Sequence, residues 1–93
     1  METDLLLILD VAGQNIDLLP EIDAVLFSNE WTPDHRFHYA YTRTVKGAHT
    51  YQEFVGLIAT NVELAIYEAE WEDIRYLYAI GTNPPDFGFA HGH

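Results

Sequence analysis

Apolar positions recur at helical spacing most clearly over residues 51–69. Phe54, Leu57, Ile58, Val62, Ala65, Ile66 and Ala69 fall on one face, with Asn61 the one polar residue in the stripe. Glu63 and Glu70 lie on the opposite face, as a solvated surface requires. Thr50 and Glu53 precede the stripe as a Thr-x-x-Glu capping box, in which the hydroxyl accepts from a first-turn amide and the carboxylate reaches back to the cap. This is the dominant helix of the chain. After Ala69 the pattern changes phase. Glu68 and Glu72 would land on the apolar stripe if the helix continued, which predicts a break or kink near Glu68 to Trp71, or one long helix touching partners on two sides. Trp71, Ile74, Leu77 and Tyr78 fit a second helical face. Tyr76, Tyr78 and Ile80 alternating with Arg75, Leu77 and Ala79 fit a strand. Gly81 ends either version, and Pro84-Pro85 forbids resumption.

The N-terminal third is read in the same way. Leu5, Ile8, Leu9 and Ala12 have helical spacing, with Thr3 as a cap and Gly13 as a stop. This favours an N-terminal helical segment from Asp4 to Ala12 over its alternative, a buried strand through Leu5-Leu6-Leu7-Ile8-Leu9. Asp17 to Asp23 reads as a short helical turn around Pro20. Residues 24–45 read as a β-hairpin: Ala24 to Trp31, a Thr-Pro-Asp-His turn at 32–35, then a second strand. In that strand Phe37, Tyr39 and Tyr41 alternate with His38, Ala40 and Thr42. The tail, 81–93, reads as irregular, with Phe87 and Phe89 pinning it to the body. The expected fold is a single α+β domain over residues 1–93, with the hairpin packed by the dominant helix; an all-α fold is the alternative.

Charge changes this picture more than composition does. Fifteen acidic residues stand against 4 basic ones, a formal net charge of -11. The chain is too rich in aromatic residues for a disordered acidic tail. An excess of this size makes it a poor ligand for anionic membranes and for nucleic acid. Cysteine is absent, which removes disulfides and thiol chemistry. No run is long enough to span a bilayer and the N-terminus lacks a basic signal region, so a cytoplasmic location is expected.

Glu63, Glu68, Glu70, Glu72 and Asp73 crowd one region, with Trp71 among them, and Asp10, Asp17, Glu21 and Asp23 form a second cluster. Carboxylates spaced along a surface imitate a phosphate backbone, and a partner's arginines and lysines then supply salt-sensitive attraction. The bland alternative is a charged face that only keeps the chain soluble, or an adaptation to high salt. Tyr39, Tyr41, Tyr67, Trp71, Tyr76 and Tyr78 are more aromatics than a core of this size must hold, and such residues are favoured at interfaces.

His35 and His38, near Glu30 and Asp34, and the terminal His91 and His93, suggest a metal-binding alternative. Their spacing across a turn and a strand implies no ligand geometry. Carboxylate pairs such as Glu70 with Asp73, or Glu68 with Glu72, lack the cleft that acid–base catalysis needs. The six glycines make no phosphate loop, and no nucleophile motif surrounds Ser28.

The pattern therefore predicts a non-enzymatic protein, without cofactor, that occupies the basic, nucleic-acid-binding surface of a protein partner. The predicted contact set is Glu63, Glu68, Glu70, Trp71, Glu72 and Asp73. The profile resembles that of small acidic inhibitors made by phages and plasmids against CRISPR or restriction machinery; the resemblance is one of size and charge, and no motif matches a particular family. The alternatives are an assembly protein, including a homodimer, that associates through aromatic surface, and a small His/carboxylate metal-binding domain.

Overall fold

The computed structural model describes residues 2–12, 16–35, 37–68, 74–81 and 86–92, the last of these as backbone only. In chain order these form β1 (Glu2–Asp10), a 3-10 turn (Ile16–Leu18), α1 (Leu19–Ser28), β2 (Thr32–Pro33), β3 (Ala40–Lys46), α2 (Tyr51–Glu68), β4 (Ile74–Ile80) and β5 (Asp86–Gly92). The strands build one antiparallel sheet in the order β2-β3-β1-β4-β5. The first six elements follow the β-α-β-β-α-β plan, with β3 lodged between β1 and β2 and β1 between β3 and β4. The expected α+β class is the one observed.

Both helices lie on one side of the sheet. Leu5, Leu7 and Leu9 of β1, Tyr41 of β3, and Ile74, Tyr76, Tyr78 and Ile80 of β4 form the floor of the core. Ile22 and Leu26 of α1 and Phe54, Ile58, Val62, Ala65 and Ile66 of α2 form its roof. Register places the floor residues side by side, with Leu7 between Tyr41 and Tyr78 and Leu5 opposite Ile80.

Four sequence expectations are corrected. Asp4 to Ala12 is not helical: Glu2–Asp10 is a strand hydrogen-bonded on both sides. Its five-residue apolar run fits a strand with two apolar faces as well as it fits a helix, and a place between two other strands decides the matter. The first arm of the hairpin is helical instead. Ala24 to Ser28 belongs to α1, started by a proline in its first turn, with Ile22 and Leu26 buried one turn apart. Only Thr32–Pro33 pairs with β3, so the hairpin is a stub. The tail is not irregular throughout, because Asp86–Gly92 pairs with β4 along its whole length and so satisfies the outer backbone groups of that strand. Between the two readings of residues 71–80, the strand holds for Ile74–Ile80. Helix α2 is described as far as Glu68; the rest of the predicted kink region, through Trp71, lies outside the described residues.

The end of α1 explains how Trp31 enters the core. The Glu30 amide donates to the Phe27 carbonyl at 3.0 Å, and the Trp31 amide to the Leu26 carbonyl at 2.9 Å. This is a Schellman closure, with Trp31 buried against the core beside Leu26. Glu30 occupies the left-handed position, φ 71°, where glycine is usual. Its carboxylate meets the Arg43 guanidinium at 3.2 Å. Asn61 completes the junction. Its Oδ1 accepts from Trp31 Nε1 at 2.8 Å and from Arg43 Nη1 at 2.9 Å. The one polar residue in the α2 stripe is thus the link joining α2 to the end of α1 and to β3.

Removing that acceptor leaves the buried indole N–H and Arg43 Nη1 without their partner. Asn61→Leu is expected to cost roughly 2–4 kcal/mol in urea unfolding. Asn61→Asp keeps the acceptor and should lose much less at neutral pH.

Candidate functional site

The capping box forms as its residues dictate. The Glu53 amide donates to Thr50 Oγ1 at 3.1 Å and the Thr50 amide to Glu53 Oε1 at 3.2 Å. His49 adds a third contact, its Nδ1 lying 3.3 Å from Glu53 Oε2. Held first by the Thr50 amide, then by His49 and the Thr50 hydroxyl, the Glu53 carboxyl titrates below its usual range. Further along, Tyr51 and Tyr78 share a hydroxyl–hydroxyl hydrogen bond of 2.9 Å that ties the first turn of α2 to β4.

The C-terminal half of α2 has a different character. Thr60, Glu63, Leu64, Tyr67 and Glu68 are all exposed and, at spacings of one, three and four, make one continuous outer strip. Tyr67 is 79% exposed and Leu64 46%, so two apolar side chains stand in water between two carboxylates. Burial, and secondly the charge of Glu63, raise the Tyr76 phenol above its usual value.

The last described turn of α2, which reaches Glu68, holds no basic residue. The charge is also divided by layer. Neither α1 nor α2 contains a lysine or arginine, whereas Arg43, Lys46 and Arg75 all lie on strands of the sheet. Asp17, Glu21, Glu53, Glu63 and Glu68 are exposed on the helical layer or on the turn leading into it.

Of the predicted contact residues, Glu63 and Glu68 are brought onto this strip; Glu70, Trp71, Glu72 and Asp73 lie outside the described residues. The aromatic candidates divide. Tyr41, Tyr76 and Tyr78 belong to the core, and Tyr67 stands free of it. Leu64 was not singled out by the periodicity, although its displacement from the buried stripe and its spacing of three from Tyr67 were there to be read. The second acidic cluster does not form one surface. Asp10 ends β1 beneath the sheet, and Asp23 accepts a short hydrogen bond from the Tyr41 hydroxyl. That bond and burial, burial first, hold the Tyr41 phenol far above its ordinary value.

His35 and His38 are exposed and line a shallow hollow of about 330 Å³ with Asp23, Asp34 and Tyr41. Among the described residues no three histidine or carboxylate groups are placed to hold one metal ion. Nor, among them, is any helix long and apolar enough to cross a membrane. Comparison with protein-family models, with curated proteins and with solved structures finds no match.

The Glu53 arrangement makes stability pH-dependent in a stated direction. Its folded pKa is depressed, so its contribution is full above the unfolded value and is lost as pH falls through the folded one. Wild-type stability should drop across that acid window more steeply than that of Glu53→Gln when unfolding is followed from pH 6 down to about pH 3. Thr50→Ala should cost about 1 kcal/mol at neutral pH.

Proposed function

We propose that this chain is a non-enzymatic binding protein whose acidic helical layer occupies the basic, nucleic-acid-binding surface of a protein partner. The observation that carries the reading is the division of charge: both helices lack a lysine or arginine, and Glu63 and Glu68 stand exposed on the outer strip of α2. A basic groove built for phosphates meets there a row of carboxylates at helical intervals, with no desolvated cation to repel it. Leu64 and Tyr67 supply what charge alone does not. A rigid aromatic amid carboxylates gives an apolar anchor that excludes water around the ion pairs and slows dissociation. Glu70, Trp71, Glu72 and Asp73 follow directly in the sequence and extend the same chemistry. Inhibition of a DNA- or RNA-guided defence enzyme, encoded by a phage or mobile element, is the setting that fits this size and charge.

The test uses the whole chain as bait, with captured proteins identified at low salt. A nucleic-acid-binding partner is expected, displaced by added duplex or single-stranded nucleic acid and by raised salt. Glu63→Lys with Glu68→Lys should weaken capture on the order of tenfold per reversed carboxylate at low ionic strength. Tyr67→Ala should cost about 2 kcal/mol of affinity with little change in salt dependence. A partner that ignores both nucleic acid and charge reversal would sink the reading.

A further inference from the structure

The face of the sheet turned away from the helices carries a second surface. On β1 it presents Glu2, Asp4, Leu6, Ile8 and Asp10, the residues alternating with the buried Thr3, Leu5, Leu7 and Leu9. Register sets Leu6 between Thr42 and Ala79, and Ile8 between Ala40 and Leu77. Leu6, Ile8 and Ala79 are only half-buried, and Leu77 is 48% exposed. An antiparallel sheet with one face in water normally alternates apolar with polar residues; a continuous run such as Leu5 to Leu9 belongs to strands covered on both faces. None of the described helices covers this one, since both lie on the other side.

Its charges differ from those of the helical layer. Lys46 lies opposite Glu2 and Arg75 opposite Asp10, at the two ends of β1, while Asp4 accepts from the Thr44 hydroxyl at 2.8 Å. Two of the chain's four basic residues are thus placed on this face, each facing a carboxylate. An apolar centre with balanced ends is the surface on which two copies of a chain of net charge -11 approach at least electrostatic cost. The area suffices. Four strands of about seven residues at ~3.4 Å per residue and ~4.8 Å per strand, with the two-residue β2 beside them, give roughly 500 Å² per copy, about 1,000 Å² in all. That reaches the size at which specific interfaces begin.

We propose that this face is covered by the same face of a second copy, giving a homodimer packed sheet to sheet. The occupant is a second copy rather than a basic partner: Lys46 and Arg75 offset two of the face's three described carboxylates, Glu2 and Asp10, and the third, Asp4, is held by Thr44, which leaves a basic partner far less to recognise here than on the acidic helical layer. The arrangement turns both helical layers outward, so the dimer presents two acidic strips, and it stands whether or not those strips bind the partner proposed above.

Sedimentation of the full chain over a concentration series, at low and high salt, tests it. The expected species has twice the 10.7 kDa chain mass. It should strengthen as salt screens the repulsion between two acidic chains, opposite to capture of a basic partner. Leu77→Glu, at a position already half in water, should leave circular dichroism and thermal unfolding of the monomer intact while weakening the dimer at least tenfold. Phe27→Glu, on the exposed side of α1, should leave the dimer unchanged. A chain that stays at 10.7 kDa up to millimolar concentration overturns the proposal. So does a dimer that survives Leu77→Glu, or one that Phe27→Glu disrupts equally.

Discussion

Every other element takes its position from β1. It is hydrogen-bonded on both sides, and its odd-numbered leucines form the middle of the core floor on which both helices rest. A strand apolar on both faces poses a difficulty of its own. A slip of one residue would put only Leu6 and Ile8 in place of Leu5, Leu7 and Leu9 and would carry Asp4 or Asp10 toward the core, so the flanking acids as well as burial oppose it. Polar contacts add to this. The Asp4 carboxylate accepts from Thr44 on one side, and the Asp4 carbonyl accepts the Gly81 amide at 2.7 Å on the other. That approach is so close that a Cβ at position 81 would lie 2.9 Å from the same carbonyl oxygen, which reserves the position for glycine. Glu2 opposite Lys46 and Asp10 opposite Arg75 mark the two ends.

The roof is held by a similar device. Helix α2 is long and amphipathic and would pack in several rotations about its axis. A single buried acceptor, Asn61, favours the one in which Trp31 Nε1 and Arg43 Nη1 both reach its Oδ1. Those donors come from the end of α1 and from β3, so the helix, the Schellman turn and the sheet are set relative to one another at one atom. Glu30 takes the left-handed backbone at that turn, and its carboxylate meets Arg43 Nη2.

What the sequence made legible, and what it did not, follows from the range of each interaction. The capping box and the α2 stripe were readable because they depend on residues three and four apart, and the box forms with the two reciprocal bonds expected of it. The α+β class followed from mixing that stripe with β-rich alternation. The N-terminal strand and α1 were misread because short apolar runs are ambiguous until their neighbours are known. Leu5 to Leu9 becomes a strand only when β3 and β4 flank it, and Ala24 to Ser28 becomes helical through Ile22 and Leu26 meeting α2. Asn61 was visible as an exception in its stripe, but its partners lie 30 and 18 residues away and no local pattern announces them. Of the candidate site, the carboxylates were legible one by one. Their separation from the cations was not, because that is a property of which layer each element joins.

That separation follows from the construction of the domain. The arginines and lysines described here are committed to the sheet: Arg43 beneath Asn61 and Glu30, Lys46 and Arg75 opposite carboxylates at the ends of β1. Each neutralises negative charge that would otherwise press on the strand pairing. The helices gain no such relief. Glu21, Glu63 and Glu68 stand exposed on helices that carry no lysine or arginine. A fold that needed only solubility would spread its few cations over its most acidic surface, where they would offset the most repulsion. Here the cations sit where the architecture needs them and the helical layer keeps its full field, which is the distribution expected if that field is what the molecule presents to a cationic partner.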